Sequence, residues 1–225
     1  YLLTSLNIAL YSLVILMFML PSGTLPFEIG FTPTLMDVVI GIFLLVYLMQ
    51  WMTRKRQNFQ LTGVHLLILM YMMWLIFSFA LGLRHSSITL TALRQFVGTL
   101  LSISLTFILV DMLRESYQLR RLVLVIMVAV TLQAILAVGL YLLPDDFANT
   151  LLNALGRLGY PQGNVIRYIE QNPELPERAI GTWIDPNSLG GIVAIAAVLI
   201  APQVFAKRPV LKYRWLTFLA LGIVA

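Results

Sequence analysis

Residues 121–143 read RLVLVIMVAVTLQAILAVGLYLL, from Arg121 to Leu143. After Arg121 no charged side chain interrupts the run, and Thr131 and Gln133 are its strongest hydrogen-bonding groups. About 20 predominantly apolar residues in helical form cross the hydrocarbon of a bilayer. A helix buried inside a soluble domain is seldom so long and apolar on every side. The stretch therefore reads as a transmembrane helix, and the rest of the chain repeats the pattern.

Apolar runs near 2–20, 34–52, 63–82, 91–112, 121–143 and 187–206 reach spanning length, and another begins at 214–225. The expected fold is all-α: a polytopic helical bundle with six complete spans and the start of a seventh. Composition agrees, since 60% of the 225 residues are apolar and 11% are charged. Soluble domains carry roughly 25% charged residues. Soluble enzymes, disordered tails and collagen-like rods are excluded. With no cysteine, disulfide scaffolds and thiolate metal sites are excluded as well. His65 and His85 lack metal-ligand spacing, so no metal is expected.

The chain begins at Tyr1 rather than Met and stops at Ala225 inside an apolar run, which predicts a piece of a longer protein. The first run has no basic leader and no A-x-A site, so it reads as a span and not a cleaved signal. Three of the intervening segments are basic: Arg54, Lys55 and Arg56; Arg114, Arg120 and Arg121; and Lys207, Arg208, Lys212 and Arg214. If the spans alternate, these segments share one side of the membrane. Arg84, Arg94, Arg157, Arg167 and Arg178 fall on the other, spread over longer loops. The positive-inside rule then puts the N-terminus in the cytoplasm and residues 21–33, 83–90 and 144–186 outside. The net charge of +5 is thereby given a topological role, and no nucleic-acid partner is expected.

Residues 144–186 are too many for a simple helix–helix connection. From Asp145 to Leu158, Phe147, Leu151, Leu152, Leu155 and Leu158 recur at helical spacing among Asp145, Asp146, Asn149, Asn153 and Arg157. That pattern predicts a short amphipathic helix on the outer membrane surface or over the bundle. Gly159, Pro161 and Gly163 break it, and Pro173 and Pro176 mark an irregular stretch. The loop divides the chain into five N-terminal spans (1–143), a loop domain (144–186), and the sixth span with the start of the seventh (187–225).

The densest local signal is Arg178-Ala-Ile-Gly181-Thr182-Trp183-Ile184-Asp185-Pro186-Asn187. Asp185 is placed to cap the sixth span, with Pro186 at its first position. Free N–H groups and the positive dipole end at that terminus, with Arg178 just upstream, suit a phosphate or pyrophosphate. The same residues also fit a plain helix cap with Arg178 against lipid headgroups. Arg84 and Arg94 flank the start of the fourth span. Arg94 lies about one turn inside it, where a cation is costly and calls for a partner such as Asp37 or an escape to the interface. Asn7 and Gln133 read as interhelical hydrogen-bonding residues. Gly190, Ala194, Ala197 and Ala201 read as a close-packing face. Pro202 is expected to end or kink the sixth span. Trp51, Trp74, Trp183 and Trp215 are expected at the interfaces.

The run Arg178-x-x-Gly181-Thr182-Trp183-x-Asp185-Pro186-Asn187, opening a Gly/Ala-rich span, resembles the start of the conserved domain of the O-antigen ligase and polymerase family, whose pattern reads R-x-x-G-T/S-F/W-x-N/D-P-N. The earlier layout is also similar, including a span that opens Thr34-Leu35-Met36-Asp37. The resemblance implies a multi-pass protein of the bacterial inner membrane. It implies a glycosyltransferase working at the periplasmic face without metal or other cofactor. Its donor would be a glycan on undecaprenyl pyrophosphate, and its acceptor lipid A–core or another glycan. It carries the catalytic, pyrophosphate-engaging role onto Arg178, in a motif that also holds Gly181, Asp185 and Asn187 as substrate-binding candidates; Arg94, Arg84 and Asp37, from their placement at the outer ends of spans, are further substrate-binding candidates. A second Arg and a His are expected beyond Ala225. Chemically, a cation that needs no proton transfer stabilises the charge that builds on a departing pyrophosphate.

A permease for a small anion such as bicarbonate is the alternative, on the strength of multiple spans, Arg94 and Asp37. A metal-dependent lipid-linked transferase would want paired carboxylates in the first outer loop, which offers only Glu28.

Overall fold

The computed structural model describes residues 5–26, 32–53, 61–85, 87–207 and 209–224. Tyr1, Glu28, Arg54, Lys55, Arg56, Arg208 and Ala225 lie outside the described residues. Eight α-helices occur among the described residues: α1 (Leu6–Met19), α2 (Leu35–Met52), α3 (Gly63–Gly82), α4 (Leu90–Met112), α5 (Ser116–Tyr141), α6 (Asp145–Ala154), α7 (Pro186–Phe205) and α8 (Arg214–Val224). A two-residue antiparallel ribbon pairs β1 (Arg167–Tyr168) with β2 (Glu177–Arg178). Five of the helices, α2, α3, α4, α5 and α7, are long and apolar enough to cross a membrane. The chain is a multi-pass membrane protein. The shorter α1 and α8 are also apolar, with 14 and 11 described helical residues.

Two compact units divide the chain. One holds Tyr1–Leu10 and Asp37–Leu119; the other holds Tyr11–Met36 and Arg120–Ala225. In the first, α3 packs on α4. Thr62, just before α3, receives His65 Nδ1 as the acceptor for its backbone N–H at 3.1 Å, so the fully buried His65 ties off the first turn. The His65 ring also sits edge-on to Phe107, with centroids 4.5 Å apart. Tyr47, on α2, donates to the buried Asp111 of α4 at 3.1 Å, and Arg114 pairs with the same carboxylate. A buried carboxylate is tolerated because a hydroxyl and a guanidinium both reach it. Elsewhere α3 leaves Leu66, Leu67, Met70, Met73, Trp74 and Phe77 exposed. Such a surface is unfavourable in water and suited to lipid or to other apolar helices.

In the second unit α7 packs on α8. Met127, Val130, Ala134 and Ala137 are buried on α5, and Leu189, Ala196, Ile200 and Val204 on α7. That α7 stripe meets the expected packing face only in part: Ala197 and Ala201 are half-buried, but Gly190 and Ala194 are exposed, and nothing lies within 4 Å of where a Gly190 Cβ would be. Pro202 does not stop α7, which continues to Phe205. Asn7 is exposed in α1 and has no interhelical role visible among the described residues.

Within the second unit the 144–186 segment gathers around a small apolar cluster. Its amphipathic helix is α6, followed by a 3₁₀ turn over Leu155–Leu158 and a reversal at Gly159, whose φ is +74°. Leu152, Val165 and Ile180 form its core, with Leu140, Leu155 and Ile184 packed around them. Two asparagines one helical turn apart clasp the returning strand. Asn149 Oδ1 accepts from Val165 N at 3.0 Å; Asn153 accepts from Gly163 N at 2.8 Å and donates to its carbonyl at 3.1 Å. Thr24 N donates to Leu158 O at 2.7 Å and joins the segment to the α1–α2 connection.

Asn153→Ala removes both Gly163 bonds. It should loosen the segment by roughly 1–2 kcal/mol, read as faster proteolysis within residues 159–176 with unchanged helical circular dichroism.

Candidate functional site

The predicted site residues are distributed over both units. Asp37, Arg84 and Arg94 belong to the first; Arg178, Gly181, Asp185 and Asn187 belong to the second. Within the first, Arg94 on α4 reaches Asp37 on α2, with 3.4 Å between nitrogen and oxygen and both side chains 37% exposed. The expected pair is present, and it offsets the cost of a cation inside a span. Arg84 is exposed just past α3. Near it, α3 and α4 bound an apolar groove of about 400 Å³, lined by Phe79 and Phe96, which stack at 3.9 Å, and by Ser78 and Ser87.

In the second unit the residues before α7 are fixed by contacts with α1 and α5. The Thr182 hydroxyl lies between two acceptors, Met19 O at 2.7 Å and the Gln133 carboxamide oxygen at 3.1 Å. Trp183 Nε1 donates to Phe18 O at 3.1 Å. Met19 and Phe18 are at the end of α1, where backbone carbonyls lack helical partners. Gly181, at φ +53°, lies against Gln133, and a Cβ there would fall on the Gln133 carboxamide. Only glycine meets both conditions without strain. Gln133 is thus an interhelical hydrogen-bonding residue as expected, whereas Trp183 is not a free interfacial anchor. Trp51, Trp74 and Trp215 remain exposed.

Two residues further on, Ile184 adopts φ +65°, a left-handed backbone unusual for a β-branched residue. Strain of this type costs on the order of 1–3 kcal/mol. Ile184 packs on the Leu152, Val165 and Ile180 core, which holds it there. Asp185 then caps α7 through Asn187 N at 3.3 Å and Ser188 N at 2.9 Å, and also accepts from the Ser188 hydroxyl. These bonds and Arg178 nearby hold its carboxyl below the usual aspartate range, the Ser188 hydroxyl contributing most. The cap corrects one expectation. Pro186 has no N–H, the Asn187 and Ser188 N–H groups go to Asp185, and Leu189 N bonds Asp185 O. The α7 terminus therefore presents no free first-turn N–H, and cationic side chains are left to attract an anion.

Those side chains are arginines. Arg178 donates to Asn187 Oδ1 at 2.7 Å, a bond that fixes one edge of the guanidinium over the start of α7. The ribbon register puts Arg167 directly opposite Arg178. Cross-strand partners share a face with Cβ atoms roughly 5 Å apart, and like charges in that position repel. Among the described residues neither arginine makes a salt bridge. Arg167 was not singled out from sequence. Its register with Arg178 depends on the turn between them, which carries positive φ at Glu170 and Gln171 rather than at glycine. The neighbouring pair is Tyr168 and Glu177. Tyr168 donates to Asp145 Oδ2 at 2.6 Å, a bond to a carboxylate that pushes its phenol up. Burial, then the nearby Asp145, pushes Glu177 up. Among the described residues no three His, Asp or Glu side chains gather as metal ligands.

No protein-family model, curated protein or solved structure matches the chain.

Because Glu177 binds its proton more tightly in the folded segment, stability is greatest when it is protonated. It declines as pH rises through the ordinary glutamate value of about 4.3 and stays lower at neutrality. Glu177→Gln should slow amide exchange around the ribbon roughly twofold to fivefold at pH 7, under about 1 kcal/mol for so exposed a group. The gain should vanish below about pH 4.

Proposed function

We propose that the chain is part of an inner-membrane glycosyltransferase of the O-antigen ligase or polymerase type. In this reading six spans and the start of a seventh cross the membrane, the N-terminus is cytoplasmic, and residues 144–186 lie in the periplasm. The observation that carries it is the arginine pair: Arg167 and Arg178 opposed on one face of a ribbon, beside the capped start of a span. Two guanidinium groups without carboxylate partners match the two phosphoryl groups of a polyprenyl pyrophosphate. The ten-residue motif from Arg178 to Asn187 supports the same assignment.

The chemistry divides among the side chains. Arg178, held by Asn187, binds the pyrophosphate and stabilises the charge it gains as the glycosidic bond to the sugar breaks. Arg167 completes the anion site from the facing strand. Asp185 acts through α7: by capping it, the carboxylate fixes Asn187 and through it the guanidinium. Gly181 gives the chain its turn against Gln133. The acceptor hydroxyl, from lipid A–core or a growing glycan, attacks the anomeric carbon and displaces the lipid pyrophosphate, and the hydroxyl proton passes to the departing pyrophosphate. No cofactor enters this step.

A second reading, an anion permease, draws on the Arg94–Asp37 pair. It puts the functional cation in the first unit instead.

Arg178→Ala should lower glycan transfer from a polyprenyl-pyrophosphate donor at least a hundredfold in membranes containing normal levels of the protein, and Arg167→Ala should raise the donor KM more than it lowers kcat. Near-normal transfer by Arg178→Ala would take the pyrophosphate role from Arg178, whereas no transfer by the unaltered protein, with anion transport lost in Arg94→Ala, would select the permease.

A further inference from the structure

The end of the second unit remote from the arginine ribbon carries features that the transfer reaction does not use. Arg120 and Arg121 open the unit's part of α5, and Lys207, Lys212 and Arg214 lie in and beside the α7–α8 connection. The two sets are joined: Arg120 donates to Pro209 O at 2.7 Å, Arg214 to Ala206 O at 3.4 Å, and Val210 N to Gln203 Oε1 at 3.2 Å. These bonds fold the connection against the start of α5 and collect the cations at one end. No Asp or Glu occurs between 116 and 143 or between 188 and 224.

Directly beyond this cluster an apolar groove of about 270 Å³ opens between α5 and α8. Met127, Val128, Thr131 and Leu132 form one wall, Leu216, Leu219 and Ala220 the other, and Leu211, next to Lys212, lies at the mouth. Val128, Leu132 and Leu219 are each about half exposed. On two helices read as spans, the groove meets hydrocarbon, not water.

We propose that this groove and its basic rim form a binding site for an anionic glycerophospholipid, an acyl chain lying along α5 and α8 and the phosphodiester held by Lys207, Lys212 and Arg214. Charge complementarity selects the occupant. A zwitterionic lipid would fill the groove but gain little from Lys207, Lys212 and Arg214, whereas an anionic headgroup gains roughly fivefold in affinity for each basic residue near the surface. Arg120 acts as a positioning residue, since its bond to Pro209 O sets Leu211 at the mouth. The site is separate from the arginine pair and does not depend on the proposed transfer activity.

The absence of cysteine makes the test direct. Val128→Cys, in the groove, and Ile195→Cys, on the exposed face of α7, are labelled with a fluorophore, and the protein is reconstituted in phosphatidylcholine. Acyl-brominated phosphatidylglycerol or acyl-brominated phosphatidylcholine is then added as quencher. The expected result is half-maximal quenching at Val128→Cys at a mole fraction of phosphatidylglycerol at least roughly fivefold below that of phosphatidylcholine, and equal quenching at Ile195→Cys. Lys207→Gln with Lys212→Gln, which leave the three hydrogen bonds of the folded connection in place, should abolish the preference and leave phosphatidylcholine quenching intact. Equal quenching by both lipids at Val128→Cys would overturn the proposal in favour of ordinary annular lipid. Absence of quenching by either would overturn it in favour of a protein segment in the groove. Loss of the preference on adding soluble glycerol 3-phosphate would reduce the site to a free-phosphate site.

Discussion

A carboxamide inside an apolar helix is the constraint on which the second unit depends. Gln133 is fully buried midway along α5, and a polar group in hydrocarbon costs several kcal/mol unless it is paired. Its oxygen is met by Thr182, which comes from the segment leading into α7. The Thr182 hydroxyl also lies against Met19 O, and Trp183 donates to Phe18 O, so these two residues reach the open carbonyls at the end of α1. One short stretch, Gly181 to Trp183, thus reaches polar acceptors of two helices. The direction in which the chain enters α7 follows from it.

Upstream of that fastening, the segment has little freedom. Ile184 must turn left-handed to bring Asp185 onto the α7 cap, and the small core of Leu152, Val165 and Ile180 holds it in that conformation. The core is closed on the other side by α6, whose two asparagines hold the chain on its way to the ribbon. The ribbon then presents Arg167 and Arg178 together. Local strain at Ile184 and a repelling cation pair fall within twenty-two residues, from Arg167 to Ser188, and the same stretch bonds the buried amide of Gln133. Such unfavourable local terms tend to accumulate at binding sites, where a ligand can offset them.

Much of this was legible in the sequence, and the limits have physical reasons. Each apolar run from 34–52 onward appears as a helix within a few residues, because length and uniform hydropathy are properties of one segment. Asp185 with Pro186 announced a helix start, and Asp37 could be matched to Arg94 because an intraspan charge demands a partner. The pairing of Gln133 with Thr182 spans 49 positions and depends on how helices assemble, which no local pattern encodes. The Arg167–Arg178 register was hidden for a similar reason: its turn uses Glu170 and Gln171 where glycine or asparagine would have signalled it. At Gly190 and Ala194 the small-residue stripe misled because small residues permit close packing without requiring it. His65, noted in sequence only for lacking a metal partner, caps α3 instead.

Hydrogen exchange of Gly181→Ala in a lipid bilayer tests the fastening most directly. The new Cβ would meet the Gln133 carboxamide at a backbone angle that alanine tolerates poorly, a penalty of about 1–2 kcal/mol before any repacking. The account predicts at least roughly tenfold faster exchange for residues 165–185, with the middle of α5 and α7 still protected. Unchanged protection across 165–185 would contradict it, and would mean that the arginine ribbon is held by contacts other than those at Gln133.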